Sequence, residues 1–352
     1  MEYKINDVLG RFKNLAASKK EEILLIGKNE KLSYEEVDKM SDFLAFQILT
    51  LCGTMETRIG LHLSHSSLTI ISIIGLLKVG KCYVPLSSKM PQKRLDSIIE
   101  TSGIKTVITD GTFRRKDLKT IEISLAKLEE ESRRSVFIEP HEPKLSDEVY
   151  VLYTSGSTGE PKGCSVSYKN LLYILNNMQK ICPADDSSTY VFSTPFFFDV
   201  SITEIFGWLF GAKILSIDLT DFATYKKLPD ILFENKISHF AASPSSFLHM
   251  LSFFSSEDLD KMVQNFRFVM IAGEAFKSKI ATIWNEKNWD FKLFNLYGPT
   301  EATVYATCYE LKKGINYNSI PIGKCLDGCC FHILQKNENA IGELVLGGDG
   351  VI

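Results

Sequence analysis

Residues 153–163 read Tyr-Thr-Ser-Gly-Ser-Thr-Gly-Glu-Pro-Lys-Gly, a run of small, hydroxylated and glycine positions that ends in one lysine. Gly156 and Gly159 let the backbone approach a ligand closely, and consecutive N–H groups can form an anion-binding nest. Thr154, Ser155, Ser157 and Thr158 add hydroxyl donors, and Lys162 adds a point charge suited to a phosphate. The chemistry to expect is the holding of a phosphate chain. The run is not a Walker A loop, because Gly163 follows Lys162 where that pattern needs Ser or Thr. Taken alone, it also fits a flexible Ser/Gly surface loop.

A second run, Asn295-Leu-Tyr-Gly-Pro-Thr-Glu301, pairs a turn with chemistry. Gly298-Pro299 forces the turn. Tyr297 offers a flat face for a purine, and the Asn295 amide can read an exocyclic amine. Thr300 and Glu301 place a hydroxyl and a carboxylate beside it. Glu301 fits Mg²⁺, which takes one or two carboxylates plus substrate phosphates. A plain β-turn with a capping acid is the bland alternative.

Both runs need elements to position them. Residues 148–153 alternate and are β-prone, so the first loop leaves a strand end, where α/β proteins bind ligands. Ser33, with Glu36 three residues on, starts a helix that runs to about residue 51. A second apolar helix covers 67–79 and closes at Gly80. Residues 81–85 read as a short strand, Pro91 opens a helix to about 101, and 104–109 is a strand. Residues 111–147 are the most polar stretch and read as a solvated connector. The alternation resumes after Ser165, with strands near 190–193, 213–217, 238–241, 268–271 and 292–295. From residue 318 the texture changes to short β-like runs at 331–334 and 342–346. Strands alternating with helices of this length mark parallel α/β sheets. The expected fold is α/β: mixed parallel sheets with packed helices in two lobes, roughly 1–165 and 166–317, plus a β-rich part over 318–352.

The chain has 352 residues, 45% hydrophobic and 24% charged, which is ordinary globular composition. A net charge of -3 makes no electrostatic case for nucleic acid or an anionic membrane as partner. No apolar run reaches the ~18 residues needed to span a bilayer, and the N-terminus does not read as a signal peptide. The eight cysteines include no CxxC pair and match no histidine cluster, so they read as free thiols of a cytoplasmic protein.

Together the two runs resemble the ANL superfamily of adenylating enzymes, which includes acyl-CoA synthetases, luciferases and the adenylation domains of nonribosomal peptide synthetases. The resemblance covers nearly the whole chain. Residues 32–37, Leu-Ser-Tyr-Glu-Glu-Val, are similar to the family's first motif. Residues 76–85, Leu-Leu-Lys-Val-Gly-Lys-Cys-Tyr-Val-Pro, resemble a segment of the peptide-synthetase branch. Residues 194–199, Thr-Pro-Phe-Phe-Phe-Asp, fit its substrate-pocket motif, and Ala272-Gly-Glu274 its GGE-type loop. Ile322-Gly323 and residues 342–348 resemble the last motifs of the large N-terminal part. One departure is Tyr168, where that branch usually has histidine.

The resemblance implies that a carboxylate attacks the α-phosphate of ATP, giving an acyl-adenylate and pyrophosphate. The 153–163 loop would hold the β- and γ-phosphates, Thr300 would contact the α-phosphate, and Glu301 would bind Mg²⁺. Tyr297 would stack on adenine, with Gly273, Glu274 and Asn295 at its edge. In the amino-acid-activating branch an aspartate at the position of Asp199, after Phe198, binds the substrate ammonium. A charge-assisted bond of that kind contributes ~1.5–3 kcal/mol. Asp199 could otherwise cap the helix that follows. The same alignment lines the side-chain pocket with Val200, Thr203, Ala242, Met270, Ala272, Leu296, Val304 and Tyr305. That set carries no formal charge and implies an apolar or aromatic amino acid. The product would pass to the phosphopantetheine thiol of a carrier protein.

The chain ends at Ile352 without a polar tail and reads as a piece of a longer polypeptide. The family's ribose-binding aspartate, hinge and small C-terminal domain with its lysine then fall outside it. This chain alone is expected to bind weakly and adenylate poorly. The rival readings are a freestanding amino-acid:carrier-protein ligase of the D-alanine type, an acyl- or aryl-CoA synthetase, and a degenerate fold kept only for binding.

Overall fold

Ser33 begins the first long helix, Tyr34–Cys52, by a reciprocal cap. Its backbone N–H donates to Glu36 Oε2 at 2.7 Å, and the Glu36 N–H donates back to Ser33 Oγ at 3.3 Å. The computed structural model describes residues 4–87, 89–134, 136, 138, 141–155, 160–335 and 342–352. Helix Ser67–Lys78 is buried along its whole length, as its all-round apolar sequence requires. Gly75 lets it approach helix Tyr34–Cys52, since a Cβ there would lie 3.1 Å from the Ser41 carbonyl.

The strands follow in chain order as β1 (Ile23–Ile26), β2 (Lys31–Ser33), β3 (Arg58–His62), β4 (Cys82–Pro85), β5 (Thr106–Thr109) and β6 (Lys119–Glu122). Then come β7 (Glu148–Ser155), β8 (Pro161–Ser167), β9 (Thr189–Phe192), β10 (Lys213–Ser216), β11 (His239–Ala242) and β12 (Phe268–Ile271). The last are β13 (Lys292–Tyr297), β14 (Thr307–Glu310), β15 (Lys324–Cys325), β16 (Cys329–Gln335) and β17 (Gly342–Gly348). Among the described residues they form three sheets. One runs β6-β5-β3-β4-β7-β8, a second runs β15-β14-β13-β12-β11-β9-β10-β1-β2, and β16–β17 pair alone. The interior strands of both large sheets are parallel, and antiparallel pairs are confined to the ends.

Each large sheet is covered on both faces. One core joins them: Tyr83, Tyr150 and Val166 of the first sheet pack with Phe192, Ile214, Met270 and Leu296 of the second. Helices Tyr34–Cys52, Ser67–Lys78 and Tyr168–Ile181 lie between them. The far face of the second sheet, with Val191, Leu215 and Val269, is covered by helices Pro244–Phe253, Ser256–Val263 and Ser278–Glu286. Helix Gln92–Ser102 covers the far face of the first.

Two expectations need correction. A single division near residue 165 does not describe the sheets, because β1 and β2 join the sheet built otherwise from residues 189–325. Nor is 111–147 only a connector, since it contains β6 and the helix Leu125–Glu131, capped by Ser124. β6 is a four-residue edge strand with Ile121 its one buried side chain, too short for a legible alternation.

Lys81 locks the end of helix Tyr34–Cys52. Its buried Nζ donates to the carbonyls of Gly53 at 2.9 Å, Thr54 at 3.1 Å and Glu56 at 2.6 Å. Lys81→Met strands those carbonyls and should lower stability in urea unfolding by about 2 kcal/mol. Lys39→Ala, which removes an exposed i,i+4 pair with Glu35, should cost no more than ~0.5 kcal/mol.

Candidate active site

A cleft of about 760 Å³ opens where the two large sheets present the carboxyl ends of their parallel strands. From the first sheet, Leu63, Ser64 and His65 follow β3, and Ser87 and Lys89 follow β4. From the second, residues 193–200 follow β9, 218–220 follow β10, 242–246 leave β11, 272–274 follow β12 and 298–300 follow β13. Parallel strands must end in loops on one edge, and a crevice between such loops is the usual ligand site of α/β folds.

Asp199 and Thr300 meet across this cleft. The Thr300 hydroxyl donates to Asp199 Oδ2 at 2.6 Å, tying the loop after β9 to the turn after β13. Burial pushes the Asp199 carboxyl above the ordinary aspartate value, and the Thr300 bond works against that shift. Asp199 does not cap the following helix with its side chain, because Val200 is the N-cap and makes no side-chain cap bond.

The described ends of the phosphate run lie in two paired antiparallel strands. β7 pairs with β8 in a register that sets Thr154 opposite Lys162 and Ser155 opposite Pro161. Strands, and no helix among the described residues, flank the run on either side. Gly156, Ser157, Thr158 and Gly159 lie outside the described residues. Lys162 is exposed. Cys164, on the same strand, marks what surrounds the hairpin base. Burial raises its thiol pKa, as do the nearby Glu301 and Asp199 carboxylates, while a bond with Thr154 lowers it. The hairpin base thus lies within electrostatic reach of Asp199 and Glu301.

Glu301 is exposed in the short helix Thr300–Ala302. Among the described residues no group of three or more His, Cys, Asp and Glu could hold a metal. A lone carboxylate suits a cation that completes its shell with substrate phosphates and water, as Mg²⁺ does. The turn that carries Thr300 and Glu301 is strained and braced. Thr303 and Val304 take positive φ, 54° and 69°, in a region a β-branched residue rarely enters. The Thr303 hydroxyl donates to the Gly350 carbonyl at 2.6 Å, and the Ile352 N–H donates to the Glu301 carbonyl at 3.1 Å. The Tyr173 hydroxyl donates to the Tyr305 carbonyl at 3.1 Å.

The residues expected at a purine are spread along one edge. Gly273 lines the cleft with φ +88° and open space where a Cβ would stand. Glu274 also lines it and accepts from the Ser245 hydroxyl. Tyr297 is exposed at the end of β13. Asn295 is buried, and its Nδ2 donates to the Pro321 carbonyl at 2.8 Å, which fixes the amide with Oδ1 turned the other way. Of the expected side-chain pocket, Val200, Ala242 and Ala272 line the cleft together with Phe198. Thr203, Met270, Leu296, Val304 and Tyr305 do not. They are buried behind it, all but Thr203 in the core that also holds Ile202 and Ile205. Packing explains this for the four apolar residues, which share one core with the helices between the sheets.

Several lining residues carry no motif: Ser64, His65, Ser87, Lys89, Asp218 and Thr220. His65 Nε2 lies 2.8 Å from the Phe192 carbonyl, and burial lowers its pKa. Lys89 Nζ donates to Thr220 Oγ1 at 3.2 Å, bridging the loops of the two sheets. The only signal for them in the sequence is their place just past a parallel strand.

Comparison with known proteins gives one consistent answer. A family model described as AMP-binding enzyme matches residues 12–352. Zwittermicin A synthase ZmaJ of Bacillus cereus is 33% identical over 353 residues, covering 94% of this chain and 65% of that protein. Syringomycin synthase SyrB1 of Pseudomonas syringae pv. syringae is 30% identical over 338 residues, covering 91% of this chain and 53% of that protein. This chain therefore spans less than two thirds of either relative. The N-terminal subdomain of Klebsiella oxytoca NpsA in complex with 3-hydroxyanthranilyl-AMSN matches the fold with a TM-score of 0.83 at 19% identity, covering 98% of this chain and 87% of that one. The expected α/β fold with helices packed on mixed parallel sheets is the observed one.

Gly298 holds the closest backbone approach at the site, because a Cβ there would lie 2.6 Å from Tyr305 Cα and 2.7 Å from the Val304 carbonyl oxygen. Gly298→Ala should cost about 1–3 kcal/mol in urea unfolding. Gly10→Ala, in the open middle of helix Ile5–Ser18, should instead gain about 0.5–1 kcal/mol.

Proposed function

The chain belongs to the AMP-binding enzyme family, and from that premise we propose that it activates an amino acid as its adenylate for loading onto a carrier protein. The substrate carboxylate attacks the α-phosphate of ATP. The bond from that phosphorus to the bridging oxygen breaks, and pyrophosphate leaves. A protein assists such a step by positioning the reactants and offsetting charge.

The contact between Asp199 and Thr300 carries this reading. In an aminoacyl adenylate, only the α-carbon, the carbonyl carbon and one oxygen separate the ammonium from the phosphorus. Groups that hold the ammonium and the α-phosphate must therefore be neighbours, and these two touch. Asp199 pairs with the ammonium, and Thr300 donates to the phosphate. The β7–β8 hairpin with Lys162 receives the β- and γ-phosphates. Mg²⁺ held by Glu301 supplies further neutralisation of the phosphate charge when bound. Gly273, Glu274, Asn295 and Tyr297 frame the adenine. The amino-acid side chain enters between Phe198, Val200, Ala242 and Ala272, an uncharged surface that favours an apolar or aromatic group. The acceptor of the activated acid is a phosphopantetheine thiol on a carrier protein, the class of partner that fits the synthase relatives.

A thermal-shift panel of aminoacyl sulfamoyl-adenosine analogues tests this without needing turnover. One or a few apolar or aromatic analogues should raise the melting temperature. Asp199→Ala should weaken their binding by about tenfold or more. Because the Asp199 pKa is raised, that binding should begin to fail on acidification at a pH above the ordinary aspartate range. A shift with fatty-acyl or aryl analogues alone would exclude an amino-acid substrate. No shift with any analogue would leave a fold kept for binding something else.

A further inference from the structure

We infer that Glu204 is a positioning residue for amino-acid recognition, holding from the protein interior the loop that presents Asp199. The inference rests on the proposed amino-acid site. Glu204 lies in the short helix Ser201–Ile205 and is only 1% exposed. Its Oε2 accepts from two consecutive backbone N–H groups, Ser193 at 3.2 Å and Thr194 at 3.0 Å. The Thr194 hydroxyl donates to its Oε1 at 2.8 Å. Those N–H groups lie just past β9, where strand pairing has ended, and Glu204 takes the place of the missing partner carbonyl.

The loop is pinned at its other end as well. The Ser201 hydroxyl donates to the Phe198 carbonyl at 2.6 Å, and the Ile202 N–H donates to the Asp199 carbonyl at 2.9 Å. Asp199 sits between these two anchors. Glu204 itself does not line the cleft, so it acts on substrate only through the loop.

The carboxyl faces Ser193 and Thr194, and the buried Tyr305 ring lies close to both it and Asp199. Burial pushes its pKa up to about 8, so the neutral acid prevails at neutral pH. The neutral acid satisfies the same contacts. One oxygen accepts both N–H groups, and the third bond reverses its sense: the acid proton is donated to Thr194 Oγ1, where the ionised carboxylate accepts from that hydroxyl. A glutamine reproduces that pattern, with its carbonyl on the N–H groups and its amide donating to Thr194. An alanine leaves two amide groups without a partner.

The test measures affinity of the intact chain for AMP and for whichever aminoacyl sulfamoyl-adenosine the wild type binds. Glu204→Ala should weaken the analogue by about tenfold or more while AMP changes by less than about twofold. Glu204→Gln should return analogue affinity to within about threefold of wild type. Glu204→Met, which keeps the side-chain volume but removes the acceptor, should weaken the analogue with AMP changed by less than about twofold, and it decides the matter if Glu204→Ala does not fold. Analogue affinity unchanged in Glu204→Ala overturns the inference. So does a parallel loss of analogue and AMP that glutamine does not restore, since that pattern marks general support of the fold. A wild type that binds AMP but no aminoacyl analogue removes the functional reading, and the inference with it.

Discussion

A parallel strand cannot turn straight back into its neighbour. It must leave the sheet at its carboxyl end and return by a crossover, so every such strand ends in a loop on the same edge. The cleft depends on this constraint applied twice. β3 and β4 deliver loops from one sheet, and β9 through β13 deliver loops from the other. The two edges face one another because a single core fastens the sheets together through helices that are apolar on more than one side. Chemistry-bearing residues from positions 63 to 300 therefore reach one space, although no local segment of the chain brings them there.

What could be read from the sequence follows from this division. The capped helix at Ser33, the apolar helix before Gly80 and strands β9 to β13 of the second sheet each carry a local signature, either a cap or a periodicity, and the structure contains them. β6 and the helix Leu125–Glu131 were not legible, because one buried residue in an edge strand leaves no pattern. The joining of β1 and β2 to the distant sheet was not legible either, since strand partners far apart in sequence leave no mark in either segment. At the site, residues in motifs were readable by type, and Asp199 and Thr300 come into contact. Residues that owe their place to topology alone, such as His65, Lys89 and Asp218, were not. Five of the eight expected pocket residues are packed behind the cleft, because alignment assigns a position and only packing decides which surface is open.

Charge is handled sparingly in this cleft. Asp199 and Glu204 are both carboxyl groups raised by burial, yet their surroundings differ. Asp199 faces the open space and keeps a hydroxyl donor at hand, which suits a group that must meet a cation. Glu204 is closed off, with backbone amides as its principal partners, which suits a group that only holds shape. Under the proposed function the same chemical group would serve recognition in one place and scaffolding five residues on.

The turn from Thr300 to Tyr305 keeps two consecutive residues in left-handed backbone geometry. Such conformations cost of order 1–3 kcal/mol each and persist only where the surroundings over-determine them. Here Gly350, Ile352 and Tyr173 do so. The expense is met once, when the protein folds, rather than each time a molecule arrives. A ligand that reaches Thr300 and Glu301 finds donors and acceptors already aimed, and it surrenders little of its binding free energy to freezing a loose segment. Under the proposed function, capture at this turn would be limited by desolvation and encounter, with conformational search of the backbone contributing little to the rate.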